Sequence, residues 1–223
     1  VSSRGDVLVG AAVSSTAVLN FVADADCDGA GELVVSAVGS VETPVDLVVH
    51  SAGVRWNGEL KASTQAVTFR VCDGLSMGVG GSSSSGEAFH LAQSEIEAMA
   101  STAHLTFESA SGAITVYALT YAEKSVVLNA TSVSVVGAVD VDGLSTYASA
   151  GVVVAANMST SGSMLFQSAS LDVEAGVWLT SVDGTLNLAA GAIQSASPAW
   201  WLAGDGIVVE GPVDISGEGV WAV

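Results

Sequence analysis

Positive charge is what this 223-residue sequence has least of. It contains five lysines and arginines (Arg4, Arg55, Lys61, Arg70 and Lys124) against 23 acidic residues, which gives a formal net charge of −18. A nucleic-acid partner requires a basic surface that neutralises phosphates, and five dispersed cations cannot build one. We therefore predict that nucleic acid is not a partner.

Long apolar runs are also missing, although 50% of the residues are hydrophobic. Gly, Ser or a charged residue interrupts every candidate before the roughly 20 residues that a membrane helix needs. We therefore predict no membrane insertion. The opening VSSRGDVLVG has neither an initiator Met nor a basic segment, so we expect any targeting signal to have been removed or to lie outside this sequence.

The apolar residues are arranged in a way that favours β-structure. They are mainly Val, Ala and Leu, separated by Gly, Ser and Thr, whereas helical proteins are richer in Glu, Lys and Arg. Short runs such as ELVVSAV, VDLVVHSA and AITVYAL are bounded by Gly, Ser, Asn or Asp, which predicts many short strands.

Two residue types recur with one period. The dipeptide Asp-Gly, a turn signal, occurs at Asp28, Asp73, Asp142, Asp183 and Asp205. Its separations of 45, 69, 41 and 22 residues are close to multiples of about 22. Trp178, Trp200 and Trp221 follow one another at 22 and 21 residues. A repeat of this length with two or three strands is typical of one coil of a solenoid.

We therefore predict that residues 1–223 form a single all-β domain, a parallel right-handed β-helix of about ten rungs, roughly 50 Å long. A β-sandwich is the rival, but it requires no fixed recurrence of turns and aromatics. The sequence stops at GVWAV, about three residues before the period predicts another Asp-Gly. We expect a fragment or module of a larger protein that continues in a longer chain or associates end to end.

Residues 77–103 interrupt the repeat. GVGGSSSSG predicts a flexible polar loop, and SEIEAMA predicts a short helix with Ser94 as N-cap and Glu97 completing a capping box. We expect this insert to cover part of the rod or one of its edges.

Between about residues 15 and 135 the sequence resembles a known family. The segments VADADCDGAGELVVSAVGSVETPVDLVVHSAGVRWNGELKASTQAVTFRV and LAQSEIEAMASTAHLTFESASGAITV, with a Gly-rich passage between them, are similar to β-helical repeat regions of filamentous haemagglutinin-type bacterial surface proteins. LTFES departs from the Gly-Ser ending usual in that family, and these 223 residues do not include a segment like the family's N-terminal secretion domain. The resemblance implies a secreted or cell-surface, elongated adhesin or scaffold.

The acidic stretch DADCDGAGEL is the first candidate site. An EF-hand loop requires a bidentate acid at its twelfth position, where this sequence has Val35. A looser calcium site from Asp24, Asp26 and Asp28 stays open, since crowded carboxylates repel unless they are neutralised. The alternative is a solvated corner whose Gly supplies a positive φ. The similar DVDG at Asp142 is predicted to lie on a corner of the same phase.

The two cysteines each precede an Asp-Gly. Cys27 and Cys72 are predicted to lie two rungs apart, which places equivalent corner positions about 9.6 Å apart. A disulfide needs Cα atoms within about 6.8 Å, so the spacing disfavours a bridge unless the loops bend together.

The tryptophan series has two interpretations. Trp178, Trp200 and Trp221 either stack for packing or form an exposed strip on which sugar rings lie. Asn129 in NAT and Asn157 in NMS are candidate glycosylation acceptors if the source is a eukaryote, and the alternative is that these tripeptides occur by chance.

The sequence indicates no catalytic residues. His50, His90 and His104 are scattered, which predicts neither a metal site nor a triad. Carbohydrate-active β-helices concentrate carboxylates with Arg or Lys on one face, and the few cations here are dispersed. We expect a non-catalytic adhesive or structural rod without a cofactor. The alternative is a module that binds host or matrix glycans, and a third hypothesis is a glycan-acting enzyme.

Overall fold

The computed structural model describes residues 1–62, 66–82, 86–99, 103–196, 199–216 and 220–222. It is a β-solenoid of about eight turns, with 61% strand and 3% helix. The predicted all-β fold of stacked parallel coils is confirmed, and the turn number is close to the ten that were expected.

Three parts follow one another along the chain. The first turns contain β1 (Val7–Val9), β2 (Ala12–Ser14), β3 (Leu19–Val22), β4 (Glu32–Val35), β5 (Ser40–Thr43), β6 (Leu47–His50), β7 (Gly53–Trp56), β8 (Glu59–Ala62) and β9 (Ala66–Arg70). The insert contains β10 (Met77–Gly80), β11 (Phe89–Leu91) and helix α1 (Gln93–Ala98). The later turns contain β12 (His104–Val135), β13 (Val139–Val154), β14 (Met158–Thr160), β15 (Met164–Ser168), β16 (Leu171–Val173), β17 (Trp178–Ser181), β18 (Leu186–Ala190), β19 (Ile193–Ala196), β20 (Ala199–Ala203), β21 (Ile207–Glu210), β22 (Val213–Ser216) and β23 (Val220–Ala222).

The rod has three faces, each a stack of parallel strands from successive turns. The first face begins β1-β4-β7, the second β2-β5-β8 and the third β3-β6-β9. On the third face β9 is followed by residues 104–108 of β12. The long strands β12 and β13 pass round corners and contribute to more than one face.

The interior is a single apolar cluster that runs along the rod from Val7 to Trp201. Alternate residues of each strand point inward, so equivalent positions of successive turns stack on one another. One such row contains Phe21, Val49, Phe69 and Phe107, which follow one another in register and are all buried. The Phe69 and Phe107 rings stack with centroids 5.6 Å apart.

The repeat length varies more than the sequence suggests. On the third face the register advances 28 residues from Leu19 to Leu47, then 20 to Val67. In the later turns it advances 18 residues from Val126 to Leu144, 20 to Met164, 22 to Leu186 and 21 to Ile207. The period of about 22 therefore holds from β15 onwards, and the later turns vary less in length than the first ones.

The Asp-Gly dipeptides mark two corner rows rather than one. Asp28 and Asp73 follow third-face strands β3 and β9, whereas Asp142, Asp183 and Asp205 lie where second-face strands lead into third-face strands. The predicted common phase of Asp142 with the acidic corner at Asp28 is therefore wrong. Asp73 and Asp142 are 69 residues apart, about three periods. Because turn lengths vary, this separation fits either three whole turns or a different number of turns together with a change of corner.

The insert adds two strands and a helix to the rod. β10 and β11 pair in parallel, and β10 also pairs with residues 114–118 of β12. Residues 83–85 and 100–102 of the predicted insert lie outside the described residues. Within the described part of the chain, no helix has the length and apolar character needed to cross a bilayer.

The start of α1 differs from the prediction. The N-cap is Ala92, and the carboxylate that reaches back to it belongs to Glu95, whose Oε2 accepts from the Ala92 N–H at 2.9 Å. Glu95 Oε1 also accepts from the backbone N–H of Trp56 at 2.8 Å, which ties the helix to β7. Ser94 and Glu97 are exposed helix residues. The N-cap therefore lies two residues before the predicted Ser94. The reason is that the bond to Trp56 holds Glu95 in place, so Glu95 rather than Glu97 completes the capping box.

Side-chain groups of the insert also bond to the turn that follows it. The Gln93 amide accepts from the Thr120 N–H at 3.1 Å and donates to the Thr120 carbonyl at 2.6 Å, so it pairs with β12 as a strand residue would. The Tyr117 hydroxyl donates to Glu87. This hydrogen bond, together with desolvation and the Glu87 charge, raises the pKa of Tyr117 to about 12.

Candidate functional site

The acidic corner is a long loop between β3 and β4, organised by a buried carboxylate. Asp24 is fully buried, and its two oxygens accept from the backbone N–H groups of Asp28 at 3.1 Å and Gly29 at 3.2 Å. Asp28 in turn accepts from the Ala30 N–H at 3.0 Å. Gly29 has a φ of 83°, which confirms the predicted glycine corner.

The same loop was the candidate calcium site. Carboxylate oxygens of Asp24, Asp26 and Asp28 lie within 4.8 Å of one another. Both oxygens of Asp24 are committed to backbone donors, so this carboxylate already has partners within the loop. The geometry supports a corner organised by Asp24, and calcium binding stays an untested prediction.

Cys27 and Cys72 form a disulfide, so the exception named in the sequence analysis, loops that bend together, is the one that applies. Their Cα atoms lie 5.5 Å apart. The intervening turn has a two-residue corner, Ser51 and Ala52, so the longer loop from residue 23 to 31 folds over it and reaches the third turn. The spacing estimate assumed that both cysteines lie at equivalent corner positions, whereas Cys27 lies on the projecting loop.

The loop returns to the rod at Gly31. A Cβ atom at this position would lie 1.3 Å from the Ala23 carbonyl oxygen, so only glycine fits where the two ends of the loop touch. The Ala52 N–H donates to the Gly31 carbonyl at 2.9 Å, which anchors the returning chain on the next turn. The two glycines of DGAG therefore have different tasks, a positive φ at Gly29 and close approach at Gly31.

A histidine lies beside the disulfide. Nε2 of His50 is 3.3 Å from Sγ of Cys72, and the two sulfurs and a ring nitrogen of His50 all lie within 4.8 Å of one another. Cys72 is buried with 3% exposure, Cys27 is exposed and His50 is half-buried. The two sulfurs therefore differ in their access to solvent, and the imidazole contacts the buried one.

His50 belongs to a row of polar residues on the outer side of the third face. His50, Arg70 and Glu108 are in register on β6, β9 and β12. Arg70 Nε donates to Glu108 Oε2 at 2.7 Å, so the two charges are paired. These residues line a cleft of about 350 Å³ next to the disulfide, with Asp73 and Asn129 also at its wall.

Two of the three predicted tryptophans form a stacked pair on the outer surface. The indoles of Trp178 and Trp200 have centroids 4.6 Å apart and an interplanar angle of 13°. Trp178 is 40% exposed and Trp200 is half-buried. Trp221 is in register with Trp200 in the backbone ladder, and its side chain lies outside the described residues.

The stacking has a direct consequence for sugar binding. A sugar ring binds an indole through the flat face, but the facing surfaces of Trp178 and Trp200 cover each other at the spacing of adjacent turns. The stack thus supports the packing interpretation. Trp56 and Trp201, which the sequence did not single out, point into the core with 2% and 4% exposure.

The two candidate glycosylation residues are both exposed. Asn129 lies at the wall of the disulfide cleft. Asn157 lies one turn before Trp178 and accepts from its backbone N–H through Oδ1 at 2.9 Å. Asn157 therefore links two turns through its amide oxygen.

The sequence had a weak signal for the disulfide cleft and none for its histidine. The cysteines precede Asp-Gly dipeptides two turns apart, but His50 enters the cleft only through strand register. The prediction that the three histidines mark no metal site or triad overlooked this placement of His50 beside two sulfurs.

No family model, curated protein or solved structure matches this chain. The resemblance to haemagglutinin-type repeats is therefore carried by the quoted motifs alone.

Proposed function

We propose that this chain is a non-catalytic extracellular structural element, a stiff segment of a surface adhesin or filamentous appendage. The observation that carries this proposal is the unbroken apolar core from Val7 to Trp201 beneath backbone ladders that join successive turns. Bending such a rod would separate hydrogen-bonded strands and open the core at once, so the architecture favours stiffness.

The disulfide supports an extracellular location. Cytosolic thiol systems keep most cysteines reduced, whereas secreted proteins retain their bridges. The Cys27–Cys72 bond joins two turns of a rod whose resemblance to surface adhesins already implies secretion.

The acidic surface supports a rod that does not aggregate sideways. Among the acidic side chains that the structure describes, only Asp24 is buried. With a net charge of −18, two rods repel each other along their flanks. The proposed partners are accordingly further copies or further turns along the rod axis, with neither nucleic acid nor a bilayer interior among them.

Electron microscopy of the protein isolated from its natural source tests this proposal. Eight turns at about 4.8 Å span roughly 40 Å. We expect filaments much longer than that, made of this chain joined to other copies or to more chain. Isolated rods of roughly 40 Å would overturn the filament proposal.

A binding assay separates the structural reading from the glycan alternative. If the Trp pair serves packing, Trp200→Ala lowers the local stability of the later turns and leaves retention on immobilised glycans at background. If the pair binds glycans, the parent protein is retained and Trp200→Ala loses retention without a change in hydrogen exchange.

A further inference from the structure

We propose that the Cys27–Cys72 disulfide is a thiol-exchange site, at which a low-molecular-weight thiol becomes covalently attached to Cys27 with His50 assisting. This goes beyond the structural role, which requires only that the bridge stays closed. The proposal depends on three observations: the two cysteines differ in solvent exposure, His50 contacts only one of the two sulfurs, and a cleft lies beside the bridge.

Access selects the sulfur that is attacked. Cys27 lies exposed on the projecting loop, whereas Cys72, two residues after β9, is 3% exposed. An incoming thiolate needs a clear approach to the sulfur that it attacks. Cys27 is therefore the electrophile and Cys72 the leaving group.

His50 contacts the leaving sulfur. In the exchange step the thiolate forms a bond to Cys27 Sγ, the bond between Cys27 and Cys72 breaks, and the electron pair stays on Cys72 Sγ. The attacking thiol releases its proton to solvent when it forms the thiolate. His50, in the form that carries a proton on Nε2, lies 3.3 Å from Cys72 Sγ, donates this proton to the sulfur and regains one from solvent. The products are a mixed disulfide at Cys27 and a free thiol at Cys72, so the attacking thiol is the only co-reactant.

The cleft limits the size and charge of the thiol. Its volume of about 350 Å³ admits a small molecule. The charge of Arg70 is paired with Glu108, and Asp73 adds a negative charge at the wall. A cationic thiol is therefore favoured over an anionic one, and salt should weaken the preference.

The central experiment treats the native, oxidised protein with cysteamine without denaturant, followed by acid quench, alkylation and peptide mass mapping. We expect cysteamine on Cys27 and the alkylating reagent on Cys72. Repeating the reaction with 2-mercaptoethanesulfonate should give the same products more slowly. Equal labelling of both cysteines, or cleavage only when denaturant unfolds the first turns, would overturn the proposal.

His50→Gln tests the role of the imidazole, with His104→Gln as the matched control, since His104 is exposed and lies at the start of β12. We expect the exchange rate to fall at least about tenfold in His50→Gln, as removal of a general acid predicts. The thermal stability of the oxidised form should stay unchanged, and His104→Gln should react like the parent. Equal rates for parent and His50→Gln would contradict the assignment of His50.

Discussion

The first turns and the later turns are held together by different cross-turn links. From β1 to β9 the register advance is irregular, the corner loop after β3 is long, and the links include a disulfide and the ion pair between Arg55 and Glu32 at 2.7 Å. In residues 125–223 there is no Lys or Arg at all against nine acidic residues.

The links between the later turns therefore involve no lysine or arginine. Examples are the Trp178–Trp200 stack, the bond of Asn157 to the Trp178 N–H, and the Ser163 hydroxyl accepting from the Thr185 N–H at 3.2 Å. When turns are nearly equal in length, identical positions stack and each link repeats without further constraint. The comparison teaches that a turn with a long projecting loop gains a covalent link in addition to its ladders, whereas turns of similar length are joined by ladders and side-chain contacts alone.

The largest expected effect is from Phe69→Ala in the first turns. This ring is fully buried and lies against Phe89 and Phe107, with centroids 6.1 Å and 5.6 Å away. We expect a loss of about 5 kcal/mol in the free energy of local unfolding, the upper part of the range for Phe→Ala, because aromatic pairs are lost with the buried area. Hydrogen exchange read by mass spectrometry measures it turn by turn.

Phe166→Ala is the matched control in the later turns. Phe166 is equally buried but stacks on no aromatic ring within the part of the chain that the structure describes. We expect Phe166→Ala to lower the free energy of local unfolding by about 3 kcal/mol. Equal losses at the two sites would show that the aromatic contacts of Phe69 add nothing.

Removing the disulfide comes next in size. The double change Cys27→Ser and Cys72→Ser frees a link across 45 residues, and loop entropy predicts a loss of about 4 kcal/mol. Hydrogen exchange should rise in residues 23–72 and stay unchanged beyond residue 139, since a solenoid couples mainly neighbouring turns. A uniform rise along the rod would contradict the division into two regions.

Glu95→Ala tests how the insert is attached between the two regions. It removes the acceptor for the Trp56 and Ala92 N–H groups, and hydrogen bonds to a charged group predict a loss of about 2 kcal/mol. Hydrogen exchange of the α1 and β7 amides measures this loss of stability. Glu97→Ala, on the exposed side of the same helix, should stay within about 0.5 kcal/mol of the parent.

The Trp stack should make a smaller contribution. A double-mutant cycle of Trp178→Ala and Trp200→Ala, followed by exchange in β17 and β20, should give a coupling of about 1 kcal/mol. Additive effects would mean that the rings act independently and would revive the glycan interpretation.

The smallest effect concerns pH and the contact between the insert and β12. Because the pKa of Tyr117 is raised to about 12, the folded state favours the protonated phenol. Its contribution is fully present below about pH 10, the ordinary tyrosine pKa, and is lost as the pH rises toward 12. A pH titration of phenolate absorbance in the parent, compared with the same titration of Tyr117→Phe, measures the pKa of Tyr117. A phenol that titrates near pH 10 would contradict the bond to Glu87.

The sequence predicted some parts of the candidate site and missed others. Gly29 was readable as a corner because positive φ favours glycine. The stacking of Trp178 on Trp200 follows from their spacing of one repeat. The contact of His50 with Cys72 was not readable, because it needs both the register of β6 with β9 and the path of a corner loop.

The sequence by itself determined the repeating β-fold and the acidic surface. Strand alternation and recurring turn residues are local properties, and parallel pairing converts a regular repeat directly into stacked turns. Only the tertiary structure decided the disulfide, the corner that each Asp-Gly occupies and the helix start at Ala92. The physical reason is that these features depend on differences in length between neighbouring turns, which decide how far a loop reaches and which side chain meets it.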